Sequence, residues 1–277
     1  MKLNRRDLAK GAMLAAGLLG AGSQANAYTK STKRQAGPTP DAEGGFWKNP
    51  KGNEYIAMVA YPGMTALDLY APHYYFATMR GARVHIVAAT KEPLLCDRNC
   101  TIIPDATYAD VPANPDLIFV PGGGVPTVDA MENDALIDFL ADRGKGARFV
   151  GSICTGALIL GAAGLLQGKR ATAHWKVRDA CLPAMGATPV NQRIVHDGNV
   201  VTGAGVTSGV DFGIYMTNIF RGPDYARTLQ LISEYQPEPL YNSGTPEAAP
   251  AGIAKFVTGL LPGYNERAAK IGNRKKA

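Results

Sequence analysis

The sequence predicts an α/β domain: a mostly parallel sheet covered by helices on both faces. Three observations predict it. Short apolar runs at 54–61, 117–120 and 149–153 lack the polar alternation of a half-exposed strand, so each reads as a strand buried on both sides. Segments with helical spacing alternate with them, the pattern of successive strand–helix–strand units. Turn-forming pairs and runs, Pro62-Gly63 and Pro121-Gly122-Gly123-Gly124, close two of the strands. The chain has 277 residues and 46% apolar content, enough for one large domain with a sizeable core.

In chain order, residues 54–61 form the first strand, and 66–79 show helical spacing through Leu67, Tyr70, Tyr74 and Ala77. A second strand is expected at 83–89 and a third at 117–120. An amphipathic helix follows at 135–143, then the strand 149–153 that leads into Cys154. Residues 195–202 contain His196-Asp197-Gly198-Asn199, a hairpin turn by its Asp-Gly pair. Helices at 208–220 and 225–235 close the alternation, and no internal repeat or low-complexity tract is evident.

Four segments are expected. Residues 1–27 read as a twin-arginine signal peptide. Asn4-Arg5-Arg6-Asp7-Leu8 precedes an apolar run at 12–22, and Ala25-Asn26-Ala27 supplies a small-x-small cleavage site. The run is too short for a stable membrane span, although a retained N-terminal anchor is an alternative. This leader predicts export through the twin-arginine machinery to the periplasm. Residues 28–52, with Pro38, Pro40, Gly44 and Gly45, read as an arm, 53–250 as the folded body, and 251–277 as a basic C-terminal tail. The formal charge of +6 is concentrated at the two ends, leaving residues 51–263 mildly acidic. The basic residues Arg267, Lys270, Arg274, Lys275 and Lys276 are most simply a solvated end. No basic face with interleaved aromatics and no helix-turn-helix pattern is present, so a nucleic-acid partner is not expected.

The chemistry centres on Gly151-Ser152-Ile153-Cys154-Thr155-Gly156. An apolar strand meets small residues, then a cysteine, then a helical pattern. Such a corner pushes the side chain above the carboxyl edge of the sheet, where open α/β folds bind ligands. It also sets the thiol beside a helix N-terminus, which predicts a depressed thiol pKa and a nucleophile. A buried, inert cysteine is the ordinary alternative.

Four segments carry a resemblance: Tyr61-Pro62-Gly63-Met64-Thr65-Ala66-Leu67-Asp68, Val120-Pro121-Gly122-Gly123-Gly124, Ser152-Ile153-Cys154-Thr155-Gly156 and Ala171-Thr172-Ala173-His174-Trp175. Together they resemble the DJ-1/PfpI superfamily. Within it they are most similar to the isonitrile hydratases and to the sensor domains of AraC-type regulators. The resemblance covers roughly residues 54–250, including Tyr235-Gln236-Pro237-Glu238-Pro239. It implies a flavodoxin-like three-layer α/β/α sandwich and a homodimer. The leader and the basic tail depart from the family pattern.

Asp68 lies at the start of the first helix and faces the same sheet edge as Cys154. A partly desolvated carboxyl there can exchange a proton with sulfur or substrate. Most of the superfamily has glutamate at this point, and the hydratases resemble this chain in having aspartate. Complementing the helix dipole is Asp68's simpler role. Thr155 stands where peptidase-like members carry histidine. Its N–H and those of Gly123 and Gly124 are candidates for a donor pocket that holds developing negative charge. A tight turn with positive φ explains the glycines equally well. His174 is a possible accessory residue, and a packed histidine beside Trp175 is its plainer reading. His73 and His85 read as structural, and His196 lies in a turn. Cys96 and Cys100 fit either a small-loop disulfide or two free thiols, Cys181 is isolated, and no metal or cofactor is implied.

The expected activity, carried by the resemblance, is hydration of an isonitrile to an N-substituted formamide through a Cys154 thioimidate. Two alternatives stay open. One is another cysteine-dependent enzyme of the superfamily, glyoxalase-like or amidase-like. The other is a non-catalytic ligand-binding or redox-sensing protein.

Overall fold

The computed structural model describes residues 52–276. The expected signal peptide and nearly all of the expected arm fall outside them. The sheet comprises β1 (Tyr55–Val59), β2 (Arg83–Ala88), β3 (Ala106–Thr107), β4 (Leu117–Val120), β5 (Phe149–Ile153), β6 (Ile194–Asp197) and β7 (Val200–Gly203). Their order across the sheet is β6-β7-β5-β4-β1-β2-β3. Every pairing is parallel except the β6–β7 hairpin, whose register places His196 opposite Val201. The mostly parallel sheet and the elements at 54–61, 83–89, 117–120 and 149–153 are therefore as expected. All residues of β1, β4 and β7 are buried, which is why their sequences show no alternation.

Helices flank the sheet in two layers. On one side α1 (Ala66–Thr78) packs against α6 (Ser208–Arg221), which packs against α7 (Pro223–Ile232). The α1–α6 crossing is tight because Gly209 has no side chain: a Cβ there would lie 2.9 Å from Ala71 Cβ and 3.1 Å from Pro72 Cδ. On the other side lie α2 (Val125–Met131), α3 (Asp134–Gly146), α4 (Gly156–Ala162) and α5 (Trp175–Cys181). Phe76, Phe119 and Phe212 form the aromatic centre between the sheet and α6. A buried bidentate pair, Arg221 Nε to Glu54 Oε1 at 2.7 Å and Nη2 to Oε2 at 2.5 Å, ties the end of α6 to the entry of β1.

Residues 251–276 do not behave as a solvated tail. They contain α8 (Ala251–Gly259) and α9 (Tyr264–Lys276), and α9 packs against α2, α4 and α5. Its buried residues Tyr264, Ala268 and Ile271 recur at helical spacing, a stripe hidden in the sequence among Arg267, Lys270 and Arg274. Asn265 and Arg267 fix the dock: Asn265 Nδ2 donates to Lys176 O at 3.1 Å, and Arg267 pairs with Asp129 and Glu132. The four cysteines are free thiols. Cys96 and Cys100 face each other across a small hairpin, joined by a 2.7 Å bond from Cys96 N–H to Cys100 O.

Candidate active site

The site is built where β1, β4 and β5 end. Cys154 follows β5 directly and takes a φ of 61°, the left-handed region that costs a non-glycine residue roughly 1–2 kcal/mol. Three backbone bonds hold it there. Its N–H donates to Gly203 O at 3.2 Å and Ala204 O at 2.6 Å, and its carbonyl accepts from His174 N–H at 3.1 Å. α4 begins two residues later at Gly156, which has no room for a Cβ because Val120 O and Pro121 O occupy the space. Cys154 is therefore the residue of a strained strand–helix corner, 6% exposed.

Asp68 sits in the first turn of α1 and is fully buried. The loop before it is clipped in place by Thr65 N–H to Gly122 O at 2.8 Å and Ala66 N–H to Asp97 Oδ1 at 3.0 Å. Asp68 Oδ2 accepts the Gly122 N–H at 2.9 Å, and Oδ1 has no hydrogen-bond partner among the described residues. Pro72, four residues on, has no N–H to return to the Asp68 carbonyl, so the first turn of α1 is loosened at this point.

Cys154 and Asp68 are close enough for each to move the other's pKa. Burial, the largest influence, pushes the Asp68 carboxyl up to about 7; the Gly122 N–H and the Cys154 thiol pull it back, and Asp97 adds to the rise. Burial also pushes the Cys154 thiol well above its ordinary value, followed by the charge of Asp68; the Thr155 N–H and hydroxyl act in the opposite direction. The expected depressed thiol pKa is thus reversed: a short helix start acting on one sulfur is outweighed by burial beside a carboxyl. What the site offers instead is a protonated thiol next to a carboxylate that titrates near neutrality, an arrangement in which attack by sulfur and its deprotonation can occur in one step.

Thr155 and the glycines also lie here. Gly123 N–H donates to Thr155 Oγ1 at 3.1 Å, so that donor is committed within the protein. Thr155 Oγ1 is 2.6 Å from Thr127 Oγ1, which is 3.3 Å from Tyr61 Oη. Of the three glycines only Gly124 has positive φ, 58°. Gly122 and Gly123 are required by close approach: a Cβ on Gly123 would lie 2.9 Å from Met64 Cα. His174 caps α5: its Nδ1 accepts from Lys176 N–H at 3.3 Å, which leaves the ring proton on Nε2, and burial lowers its pKa. Its contact with Cys154 is through the backbone. Among the described residues no group of three His, Cys, Asp or Glu side chains is arranged to hold a metal ion. Sequence reasoning missed Gly122 and Thr127 as neighbours of Asp68 and Thr155, and Tyr61 and Tyr264 as neighbours of the thiol. Gly122 and Tyr61 stood inside recognised motifs, whereas Tyr264 stood in the presumed tail.

A parallel α/β sandwich with a cysteine on a left-handed strand–helix corner, faced by a buried carboxyl from the first helix, defines a class of cysteine-centred domains. The chain belongs to the DJ-1/PfpI family, matching it over residues 54–218. It is 42% identical over 199 residues to an isonitrile hydratase of Pseudomonas putida, a match covering 72% of this chain and 86% of that protein. A THiJ/PfpI family protein from Pseudomonas syringae superposes with a TM-score of 0.80 at 42% identity, covering 85% of this chain and 96% of that one. DJ-1beta of Drosophila melanogaster, at 18% identity and a TM-score of 0.58 over 67% of this chain, shares the fold alone.

Proposed function

We propose that the protein hydrates isonitriles to N-substituted formamides, with Cys154 as nucleophile and Asp68 as proton carrier. The observation that carries the reading is a buried thiol on a left-handed strand–helix corner beside the fully buried Asp68 carboxyl, which burial pushes up to about 7. It is supported by the 42% identity to an isonitrile hydratase over most of both chains. Asp68 accepts the S–H proton as sulfur bonds to the terminal isonitrile carbon, then returns it to that carbon, giving R–N=CH–S–Cys154. Water adds to the same carbon. Asp68 takes one water proton and passes it to nitrogen, giving R–NH–CH(OH)–S–Cys154. The C–S bond then breaks, the hydroxyl proton returns through Asp68 to sulfur, and R–NH–CHO leaves. One water is consumed and the thiol is regenerated.

Gly124, with the Thr155 N–H, is assigned to the pocket that receives developing charge on the substrate, and His174 to support of the Cys154 backbone. A homodimer is proposed because Leu67, Tyr70 and Tyr74 form an exposed apolar stripe along α1, beside Asp68. Work in the periplasm is proposed from the twin-arginine leader.

The deciding experiment is product analysis of purified protein with an alkyl and an aryl isonitrile. Formamide in large excess over protein is expected from the wild type, with losses of several orders of magnitude in Cys154→Ala and in Asp68→Asn. A wild-type yield that never passes one product per site overturns the enzymatic reading and leaves a ligand-binding protein.

A further inference from the structure

The hydroxyls beside Thr155 form a chain whose proton directions are set by its far end. Pro121 O can only accept, so Tyr61 Oη, 3.0 Å away, donates to it. Tyr61 Oη then accepts from Thr127 at 3.3 Å, and Thr127 Oγ1 accepts from Thr155 at 2.6 Å. Thr155 Oγ1 also accepts the Gly123 N–H. In this state Thr155 has no proton to direct at Cys154. One donor stands outside the chain. Tyr264, brought in by α9, is 7% exposed, and its hydroxyl has no hydrogen-bond partner among the described residues. That hydroxyl interacts with Thr155 and Thr127, with Cys154 and Cys181 nearby. Buried phenols are rarely left unpaired.

We propose that Tyr264 is a positioning residue: when charge develops on the Cys154 sulfur, its phenol donates to Thr127 and the chain reverses to run Tyr264 to Thr127 to Thr155 to sulfur. Every group is then satisfied. Thr127 accepts from Tyr264 and donates to Thr155, Thr155 accepts from Thr127 and Gly123 and donates to sulfur, and Tyr61 keeps its bond to Pro121 O. The loss is the longest contact of the resting chain, 3.3 Å. Without Tyr264 the reversal leaves Thr127 with no donor behind it. The groups near the sulfur are Asp68 from α1, Tyr61 after β1, Thr155 at the start of α4 and Tyr264 from α9; Cys181 of α5 lies near Tyr264.

The effect on turnover rests on the hydratase reading; the effect on the thiol does not. The test is Tyr264→Phe in the full chain, with iodoacetamide alkylation of the Cys154 peptide followed by mass spectrometry across pH, alongside kcat, KM and urea unfolding. Removing an orphan phenol leaves the resting fold as stable as before or slightly more so. The alkylation midpoint is expected to rise by about one pH unit and kcat to fall about tenfold at unchanged KM, the scale of one hydrogen bond to a charged group. Thr127→Val is expected to raise the midpoint equally, and the double variant no further. An unmoved midpoint in Tyr264→Phe overturns the proposal, whether or not the variant is less stable. If the wild type makes no formamide, a raised midpoint still upholds the role of Tyr264, and the hydratase reading alone fails.

Discussion

The Gly122 N–H binds Asp68 Oδ2 at 2.9 Å while the other side of Gly122 lies against Thr155. A Cβ at this position would lie 2.5 Å from Thr155 Oγ1, 2.6 Å from Thr155 N and 3.0 Å from Asp68 Oδ2. One glycine therefore spaces the proposed proton carrier from the residue that follows the proposed nucleophile.

Gly122→Ala is accordingly expected to lower kcat/KM for hydration by about a hundredfold or more, the scale for an angstrom-sized displacement of a catalytic group. Gly124→Ala is the control. Its Cβ meets nothing within 4 Å, and only the positive φ of 58° is violated. With ψ at −126° this backbone lies outside the left-handed helical region, so the substitution costs about 1–3 kcal/mol of stability by urea unfolding, with a smaller loss of rate. Equal kinetic losses in the two variants would show that the strand-end turn, not the spacing of Asp68 and Thr155, is what the site needs.

Asp68→Asn separates thiol acidity from catalysis. The Asp68 charge is one of the influences that push the Cys154 thiol up, second to burial. Removing it is expected to move the Cys154 alkylation midpoint downward, towards a more acidic thiol, while hydration falls by orders of magnitude because no group relays the proton. An enzyme that relied on a pre-formed thiolate would respond in the opposite way, gaining or keeping rate as the thiol became more acidic.

The fold was legible because strands buried on both faces leave continuous apolar runs, as in Leu117–Val120, and because the corner residues Gly151 to Gly156 are dictated by close packing. Cys154 and Asp68 could be placed on one sheet edge from topology alone, one at the end of β5 and the other at the start of α1. Their protonation could not be read this way. Burial of both side chains sets it, and burial depends on residues far off in sequence such as Tyr264. Helix α9 escaped notice because the apolar stripe among its described residues is short, Tyr264, Ala268 and Ile271, and diluted by basic neighbours. The hairpin bearing Asp97, which anchors α1 through the Ala66 N–H, has two-residue strands at Leu94–Leu95 and Thr101–Ile102, too short to show a period.

Export is tested independently of the site. Cleavage after Ala27 is expected to give a periplasmic protein beginning at Tyr28, read by N-terminal sequencing. Replacing Arg5 and Arg6 by lysine is expected to hold the precursor in the cytoplasm, since the paired arginines are the recognised feature of the leader. Undiminished periplasmic yield from that variant would rule out the twin-arginine route.

The raised Asp68 pKa also has a signature in stability. Its carboxyl titrates at about 7 in the folded chain against 3.8 ordinarily. Between those values the native state keeps a proton that the unfolded chain has lost, so stability falls as pH rises through the window and the decline ends above about 7. The slope approaches about 1.4 kcal/mol per pH unit for this one group. Asp68→Asn carries no such proton and lacks that decline. Carboxylates with lowered pKa, such as Asp110 and Asp197, contribute slopes of the opposite sign, but they lie in both proteins and cancel in the difference. Urea unfolding from about pH 4 to pH 8 is therefore expected to show the stability of Asp68→Asn relative to wild type growing by a few kcal/mol up to neutrality and then levelling. Parallel curves across the window would mean that Asp68 ionises as an ordinary carboxylate, and the proton-carrier role assigned to it would go with them.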